Sequence, residues 1–258
     1  SLTASSVGAV SGVIDVATGQ AVYLYQEGAD IVGRVGSAGA PDAGGAEAFR
    51  ISVNAGTGEV TLDQVLALTH PTGGTGSPNE LINLTTNAVT LTATVTDKDG
   101  DSATASISLG DKVGFRDDAP TVAVVATTTN LLVDETSLAS NATQDFSTSF
   151  NVNYRADGAG TTVYSLGISG AGVPSGVVDV ATGQGVYLYF EAGNVVGRVG
   201  SGGVADVNGA IAFNITIVSS TGAVTLDQLL ALSHPDGSDD NDIVSLTAAA
   251  VTLTATVT

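Results

Sequence analysis

The stretch SGVIDVATGQAVYLYQEGADIVGRVG at residues 11–36 decides the fold, because it returns at residues 175–200 as SGVVDVATGQGVYLYFEAGNVVGRVG. The two stretches are identical at 19 of 26 positions, at an offset of 164 residues. An offset of 162 then relates residues 84–96 to residues 246–258. This period exceeds the roughly 20–50 residues of a solenoid repeat. Each copy is therefore predicted to be a domain with its own hydrophobic core.

The phase of the repeat places both ends of the chain inside a copy. Residues 1–2 correspond to residues 165–166, and Thr258 corresponds to Thr96. We therefore expect an excerpt from a longer array, in which neighbouring repeats of the same chain are the nearest partners.

The boundary between the two copies is predicted at Asp117-Asp118-Ala119-Pro120. The proline blocks strand continuation, and the apolar alternation restarts at Thr121. This gives a first domain at residues 1–118 and a second at residues 119–258.

Composition and patterning favour β-structure over helix. Hydrophobic residues make up 43% of the chain and glycine occurs 33 times, and β-branched runs between Gly- and Asp-rich turns are typical of strands. The predicted fold class is all-β, with tandem immunoglobulin- or cadherin-like β-sandwich domains, Greek-key connections and a beads-on-a-string arrangement. The strand candidates are Val22–Tyr25, Ala48–Val53, Glu59–Leu62, Val89–Thr96, Ala103–Leu109, Val122–Thr127, Phe146–Tyr154, Thr162–Leu166 and Val186–Phe190. Single helical turns are predicted at Asp63–Leu68 and Asp227–Leu232, each behind an Asp N-cap.

The net charge excludes several classes of partner. Twenty-six acidic residues against seven basic ones give a formal charge of -19. Such a surface repels nucleic acid and anionic membrane headgroups, so neither is an expected partner, but it attracts cations. The absence of cysteine excludes disulfides, thiol catalysis and zinc–thiolate sites. No apolar run approaches the roughly 20 residues that a membrane-spanning helix needs.

The sharpest local feature is Asp97-Lys98-Asp99-Gly100-Asp101, between two predicted strands. Three carboxylates around a Gly turn suit Ca²⁺, which takes roughly 6–8 oxygen ligands in flexible geometry. The spacing is not that of an EF-hand, because the glycine comes too early and no Glu follows at the twelfth position. An acidic, solvated hairpin tip is the alternative.

A second candidate calcium site lies at the predicted domain boundary. Adjacent carboxylates at Asp117 and Asp118 raise each other's pKa unless a positive group lies between them. The strand Ala103–Leu109 separates them from Asp97–Asp101, so the two acidic groups are expected at opposite ends of the first domain. The loop that begins at Asp157 is the predicted partner of Asp117 and Asp118, and an ion there would stiffen the joint. An ordinary polar linker is the alternative.

Further candidate metal ligands are Asp134 and Glu135, which are adjacent in the second copy. His70 and His234 occupy equivalent positions, each before a proline, and are interpreted as structural residues of the repeat. The tyrosines that alternate along matching strands are interpreted as sheet-face packing: Tyr23, Tyr25, Tyr187 and Tyr189.

The sequence does not favour an enzyme. It contains no nucleophile motif, no phosphate-binding Gly-Lys-Ser loop and no histidine cluster. A carboxylate pair for glycoside chemistry stays open, but an aromatic content of 5% leaves little for a sugar-stacking cleft.

Taken together, the motifs resemble those of a known family of surface proteins. They are LTATVTDKDGD at 91–101, DDAP at 117–120, LVDET at 132–136, DGAGT at 157–161, YSL at 164–166, TLDQ at 225–228 and HP at 234–235. Their order is similar to the tandem extender repeats of giant RTX-type (repeats-in-toxin) bacterial adhesins, which are exported by type I secretion. The glycine-rich nonapeptide repeats that name the family do not occur here.

The resemblance implies a function as well as a fold. In that family, calcium-stiffened repeats hold ligand-binding domains away from the cell and support biofilm formation. The chain is thus expected to be a non-catalytic, extracellular repeat of a cell-surface adhesin that binds Ca²⁺, with surface polysaccharide or other cells as further partners.

Two alternatives stay open. One is a carbohydrate- or surface-binding module, which clustered exposed aromatic side chains would favour. The other is a subunit of an extracellular filament or surface layer, which large apolar patches or exposed edge strands would favour.

Overall fold

The computed structural model describes residues 1–71, 80–125, 130–236 and 242–258, and it confirms the all-β prediction. The chain divides into two compact units. The first unit comprises Ser1–Pro120 and Tyr154–Ala159, and the second comprises Thr121–Asn153 and Gly160–Thr258. The segment Tyr154–Ala159 thus belongs to the first unit, although the strands on either side of it belong to the second.

The described residues of the first unit form ten strands. They are β1 Leu2–Ala4, β2 Ala9–Ile14, β3 Ala21–Glu27, β4 Asp30–Val35, β5 Glu47–Val53, β6 Val60–Gln64, β7 Leu81–Asn83, β8 Val89–Thr96, β9 Ser102–Ser108 and β10 Gly114–Arg116. Strands β2 to β6 form a five-stranded sheet in chain order, β8 lies between β1 and β9, and β7 pairs with β10. All of these pairs are antiparallel.

The second unit repeats the five-stranded sheet and the β1–β8 pair of the first, with additional strands at its beginning. Its strands are β11 Thr121–Val124, β12 Ala142–Asp145, β13 Phe150–Asn153, β14 Thr162–Ile168, β15 Val173–Val178, β16 Gly185–Glu191, β17 Asn194–Val199, β18 Ile211–Val218, β19 Ala223–Gln228 and β20 Val251–Val257. Strands β15 to β19 correspond to β2 to β6, and β12 extends their sheet beside β19. Strand β14 pairs with β20, and β11 pairs with β13.

Each unit has its own apolar core. In the first unit the core includes Leu24, Ile31, Phe49 and Phe115, whose side chains are almost fully buried. The equivalent core of the second unit contains Leu188, Val195 and Phe213. Large β-branched and aromatic side chains on the inner face of each sheet exclude water from the space between the layers, and their burial supplies most of the stabilisation.

Glycine at one core position makes room for a phenylalanine. A Cβ atom added to Gly33 on β4 would lie 2.4 Å from the ring of Phe49 on the paired strand, and the same holds for Gly197 and Phe213. The glycine is therefore required for the aromatic ring to pack flat across the neighbouring strand.

Two local predictions are wrong. Asp63–Leu68 and Asp227–Leu232 do not form helical turns, because β6 and β19 continue through the Asp-Gln pair. Asp63 lies opposite Arg50 in the ladder, so cross-strand pairing prevails over the local helix signal. Beyond Gln64, the irregular backbone donates two hydrogen bonds to the Ala48 carbonyl, from Val65 N and Leu66 N.

The predicted strand Phe146–Tyr154 is interrupted. Residues 147–149 form a 3₁₀ turn, because Asp145 accepts a hydrogen bond from Ser147 N at 2.8 Å and fixes the local backbone. Strand β13 begins only at Phe150. Strands β2 to β6 and β15 to β19 follow chain order as meanders, and a long connection brings β12 beside β19, so a Greek-key type of connection occurs in the second large sheet and not in the first. The predicted strand Val122–Thr127 is observed as far as Val124, and residues 126–127 lie outside the described residues.

Candidate metal centres

The described residues contain two groups of three carboxylates that could hold a metal ion. One group is Asp97, Asp99 and Asp101, and the other is Asp117, Asp118 and Asp157. Within each group, one oxygen of every residue lies within 4.8 Å of the others. The structure thus brings together the six aspartates that the sequence predicted as two sites, while calcium itself stays a prediction.

The first group, called the hairpin triad below, lies in the turn between β8 and β9. Asp97 organises this turn, because its Oδ1 atom accepts hydrogen bonds from Gly100 N at 3.1 Å and Asp101 N at 2.9 Å. Gly100 has a φ of 105°, a conformation that favours glycine. A hydrogen bond with the Asp99 carboxyl, followed by the backbone N–H groups of the turn, holds the pKa of Asp97 below its ordinary value.

The hairpin triad is fully open to water, and all three residues are exposed. One oxygen of Asp97 already accepts two backbone hydrogen bonds, so fewer lone pairs remain for an ion. The hydrogen bonds within the turn explain part of this arrangement without a metal. The hairpin triad is therefore the weaker candidate of the two for a metal site.

The second group, called the boundary triad below, is assembled from two separate parts of the first unit. Asp117 and Asp118 follow β10 directly, and Asp117 N donates a hydrogen bond of 2.8 Å to the Glu80 carbonyl just before β7. The pairing of β7 with β10 thus fixes this backbone. Asp157 ends a 3₁₀ turn at residues 155–157.

The loop that carries Asp157 has an unusual backbone. Arg155, the first residue of the turn, has a φ of 63°, and Gly158, the residue after the turn, has a φ of 90°. A side chain other than glycine at positive φ costs free energy. The N–H of Ala156 points to Asp118 Oδ2 at 3.4 Å, a long contact that places this loop against the end of β10.

The boundary triad is electrostatically unsatisfied. Asp118 Oδ1 is buried and has no hydrogen-bond partner among the described residues. Desolvation raises the pKa of Asp157, the charges of Asp118 and then Asp117 raise it further, and His70 acts in the opposite direction. Like charges held this close disfavour the ionised form. A cation between the three carboxylates would remove that repulsion.

His70 is the residue near this centre that sequence reasoning missed. It lies close enough for its imidazole to influence Asp157, and its Nδ1 atom is buried without a hydrogen-bond partner in the described structure. The two residues are 87 positions apart, so no local pattern links them. The equivalent His234 has a different acidic neighbour, with its Nε2 atom 3.6 Å from Glu135 Oε1.

The prediction that Asp134 and Glu135 bind metal finds no matching geometry. Asp134 Oδ1 accepts a hydrogen bond of 2.8 Å from Thr136 N and caps a 3₁₀ turn, and the hydrogen bonds with Thr136 lower the pKa of Asp134. Glu135 Oε1 accepts hydrogen bonds from Leu232 N at 2.8 Å and from Gln228 Nε2. Protein donors therefore engage both carboxylates, and neither joins a group of three potential ligands in the described residues.

The tyrosines pack as the sequence suggested. Tyr23 and Tyr25 are buried, whereas Tyr187 and Tyr189 are half-buried. The hydroxyl of Tyr23 donates to the Gly39 carbonyl at 3.1 Å, and that of Tyr187 to the Gly203 carbonyl at 2.9 Å. These rings hold a loop against the sheet rather than form an exposed platform for a ligand.

The boundary triad offers hard oxygen ligands and no soft ones. Three carboxylates supply up to six oxygens, and water can complete the roughly 6–8 ligands of Ca²⁺. Mg²⁺ demands a tighter octahedral arrangement. The donor set thus fits Ca²⁺ better than zinc or copper, which prefer nitrogen or sulfur.

Comparison with known proteins identifies a family that the chain matches, but it indicates no activity. The sequence profile described as Domain of unknown function (DUF5801) matches residues 1–110 and 130–258. No curated protein and no solved structure matches the chain. Asp117 and Asp118 lie between the matched stretches, so the match carries no information about them. No helix within the described ranges has the length and hydropathy that a membrane span needs.

Proposed function

The chain belongs to the family described as Domain of unknown function (DUF5801), and from its residues we propose that it is a calcium-stiffened, non-catalytic structural repeat of a large bacterial cell-surface adhesin. In this role each repeat serves as an extender that supports attachment and biofilm formation outside the cell.

The observation that carries the proposal is the boundary triad. One oxygen from each of the three aspartates lies within 4.8 Å of the others, and Asp118 Oδ1 is buried without a donor among the residues that the structure describes. A buried carboxylate oxygen without a partner is costly, because it has lost its water without gaining a hydrogen bond. Ca²⁺ supplies the missing positive charge and accommodates irregular ligand geometry.

The location of the triad explains how an ion would stiffen the protein. Asp118 and Asp157 are 39 positions apart, so an ion bound to both would cross-link two distant parts of the chain. It would hold Tyr154–Ala159 onto the end of β10. Such a link restricts local opening of both segments, which is what an extender under tension requires.

The net charge of -19 supports an extracellular calcium-rich setting, because the folded chain gains more from cations than a neutral protein would. The resemblance to the repeats of RTX-type adhesins supports the same assignment. The alternative of a carbohydrate-binding module gains nothing from the tyrosines, which are packed. Phe190 is 50% exposed, but one ring is not a stacking platform.

Calcium titration of the chelator-treated chain tests the proposal. We expect Ca²⁺ to raise the unfolding temperature of the first unit and the force needed to unfold it in single-molecule pulling, and Mg²⁺ to have a smaller effect. The double variant Asp117→Asn, Asp118→Asn should lose both effects. Asp111→Asn is the matched control, since Asp111 is an exposed carboxylate of the same unit outside both triads.

If the parent chain shows the same melting temperature and the same unfolding force with chelator and with millimolar Ca²⁺, the stiffening role is wrong. A calcium response that survives in the double variant would move the site away from the boundary triad.

A further inference from the structure

The described residues contain two buried side-chain atoms without a hydrogen-bond partner. One is Asp118 Oδ1 in the boundary triad, and the other is His70 Nδ1. Buried polar atoms in folded proteins are rarely left unpaired, because such an atom has lost its water without gaining a new partner. The two atoms do not bond to each other. A third group that reaches both would remove two unfavourable terms at once.

Backbone contacts hold the segment that carries His70 near the boundary triad. Thr69 N donates a hydrogen bond of 2.8 Å to the carbonyl of Ile14, the last residue of β2. Strand β2 lies beside β7, and β7 pairs with β10, which leads directly into Asp117 and Asp118. The chain around His70 is thus fixed in the region of the first unit where the two aspartates lie.

The imidazole of His70 also interacts with the third member of the triad. Desolvation and the other two carboxylates raise the pKa of Asp157, whereas the charge of His70 acts in the opposite direction. His70 is nevertheless absent from the group whose potential ligand atoms all lie within 4.8 Å of one another. An ion held by the three carboxylates would therefore contact His70 through a water molecule rather than directly.

We propose that His70 is a positioning residue of the calcium centre, and that its Nδ1 atom accepts a hydrogen bond from a water molecule on the ion. Ca²⁺ takes roughly 6–8 oxygen ligands, so water completes the shell that the carboxylates begin. A neutral imidazole accepts a hydrogen bond at the ring nitrogen that carries no proton. The ion itself would satisfy Asp118 Oδ1, and its water would satisfy His70 Nδ1. This inference rests on the proposed calcium site and adds a residue to it.

The contact would extend the cross-link to a third segment of the chain. The carboxylates come from the end of β10 and from the loop at residues 154–159, whereas His70 lies in the connection between β6 and β7. A hydrogen bond to a metal-bound water orients that water and strengthens its bond to the ion. Loss of such an outer-shell partner typically weakens metal binding about 10–100-fold.

The second unit contains a natural control at the same repeat position. His234 corresponds to His70 at the offset of 164 residues, and its Nε2 atom lies 3.6 Å from Glu135 Oε1. Neither His234 nor Glu135 belongs to a group of three potential metal ligands in the described structure. A change at His234 therefore alters the equivalent histidine outside the boundary triad.

Calorimetric titration of the full 258-residue chain with CaCl₂ tests the proposal. All chains carry Asp101→Asn, so that the hairpin triad loses a ligand and the boundary triad is measured. His70→Ala should bind calcium about 10–100-fold more weakly than the parent, whereas His234→Ala should bind it equally well. His70→Asn should recover most of the affinity, because its amide oxygen can occupy nearly the position of Nδ1. His70→Gln places its amide near the position of Nε2 and should not recover it.

Two further measurements separate a positioning role from a packing role. The chain has two histidines, so the His234→Ala variant assigns their ring nitrogen resonances. Ca²⁺ should shift the Nδ1 resonance of His70 and leave both resonances of His234 unchanged. Luminescence decay of bound Tb³⁺ in H₂O and D₂O counts the water molecules on the ion, and this count should be the same in the parent and in His70→Ala.

The outcomes distinguish the role of His70 from the calcium site itself. If His70→Ala binds calcium as tightly as the parent, while Asp117→Asn, Asp118→Asn abolishes binding, the role of His70 is wrong and the site stands. A parent chain that binds no calcium refutes both. Equal recovery of affinity by His70→Asn and His70→Gln would show that side-chain volume decides, and an additional water on Tb³⁺ in His70→Ala would show a direct ligand. Either result would refute the water-mediated contact.

Discussion

The variant Asp157→Asn should have opposite effects on stability with and without calcium. In the boundary triad the Asp157 carboxylate lies within 4.8 Å of those of Asp117 and Asp118. Each such pair repels by at least about 0.9 kcal/mol in bulk water, and salt reduces this by about half. Because Asp157 is exposed, the water value applies, and the two pairs together cost about 1–2 kcal/mol.

Removing this charge should therefore stabilise the first unit when calcium is absent. For a unit of about 125 residues, 1–2 kcal/mol corresponds to a rise of roughly 3–8 °C in the melting temperature. With calcium, the parent should be more stable than the Asp157→Asn variant. Free Ca²⁺ at a hundred times its dissociation constant stabilises the parent by about 2.7 kcal/mol, or roughly 10 °C, and the variant lacks one ligand.

Differential scanning calorimetry of the parent, the variant and Asp111→Asn, in chelator and in Ca²⁺, measures these effects. Hydrogen exchange of residues 114–120 and 154–159 assigns the transition to the first unit. Asp111→Asn changes the net charge equally and should retain the calcium response. The reasoning is refuted if Asp157→Asn is less stable than the parent in chelator, or if its calcium increment equals that of the parent.

Three further outcomes follow from the structure. In the folded chain the pKa of Asp157 is raised from its ordinary 3.8. Protonation of this carboxyl therefore stabilises the fold. The stabilisation is complete below pH 3.8 and is lost as the pH rises through the raised pKa. In chelator, the stability gained by Asp157→Asn should therefore shrink as pH falls from neutral toward 3.8 in denaturant titrations. Gly33→Ala should cost about 1–3 kcal/mol, since the new methyl group would lie 2.4 Å from the Phe49 ring, whereas Gly56→Ala in an open turn should change the unfolding midpoint little. Phe115→Ala should destabilise the first unit by about 3–5 kcal/mol in urea unfolding, and an unchanged midpoint would show that β10 does not complete the core.

Much of the fold could be predicted because its signal is local. The run Val89–Thr96 alternates β-branched and small residues between turn signals, and β8 has these same bounds. The predicted helical turn at Asp63 failed for a physical reason, since five ladder pairs with β5 outweigh a single N-cap. Propensity was thus a reliable guide where tertiary pairing agreed with it, and an unreliable one where pairing opposed it.

The candidate sites also differ in how local their sequence signal is. The hairpin triad is contiguous, so five residues of sequence were enough to find it. The boundary triad joins positions 39 residues apart, and its prediction depended on an argument about which loops meet. His70 had no such argument, and its nearness to Asp157 could be seen only in the folded chain. Glu135 was predicted as a ligand because it is acidic, whereas its hydrogen bonds to β19 and Leu232 give it a structural role.

Comparison of the two copies distinguishes the contacts that build the shared fold from those that are specific to a site, because the second copy is an internal control for the first. Ser11 Oγ donates to the Val22 carbonyl at 2.6 Å, and Ser175 Oγ repeats this bond to Val186 at the same distance. Buried Asp15 likewise accepts from the backbone N–H of Thr18 at 2.9 Å, a bond whose counterpart in the second copy has the same length. Polar contacts that recur in both copies at the same distances stabilise the fold that the two copies share.

The acidic groups behave differently. The histidine at the shared repeat position acts electrostatically on Asp157 in one unit and lies 3.6 Å from Glu135 Oε1 in the other. In the second unit, the protein's own donors satisfy the acid near the histidine. In the first, Ala156 N reaches Asp118 Oδ2 at 3.4 Å, and Asp118 Oδ1 is left without a hydrogen-bond partner among the described residues, a gap that a cation would fill. A buried carboxylate oxygen without a partner, beside two further carboxylates, is the strongest physical reason to look for calcium at the boundary triad rather than at the other acidic positions that the structure describes.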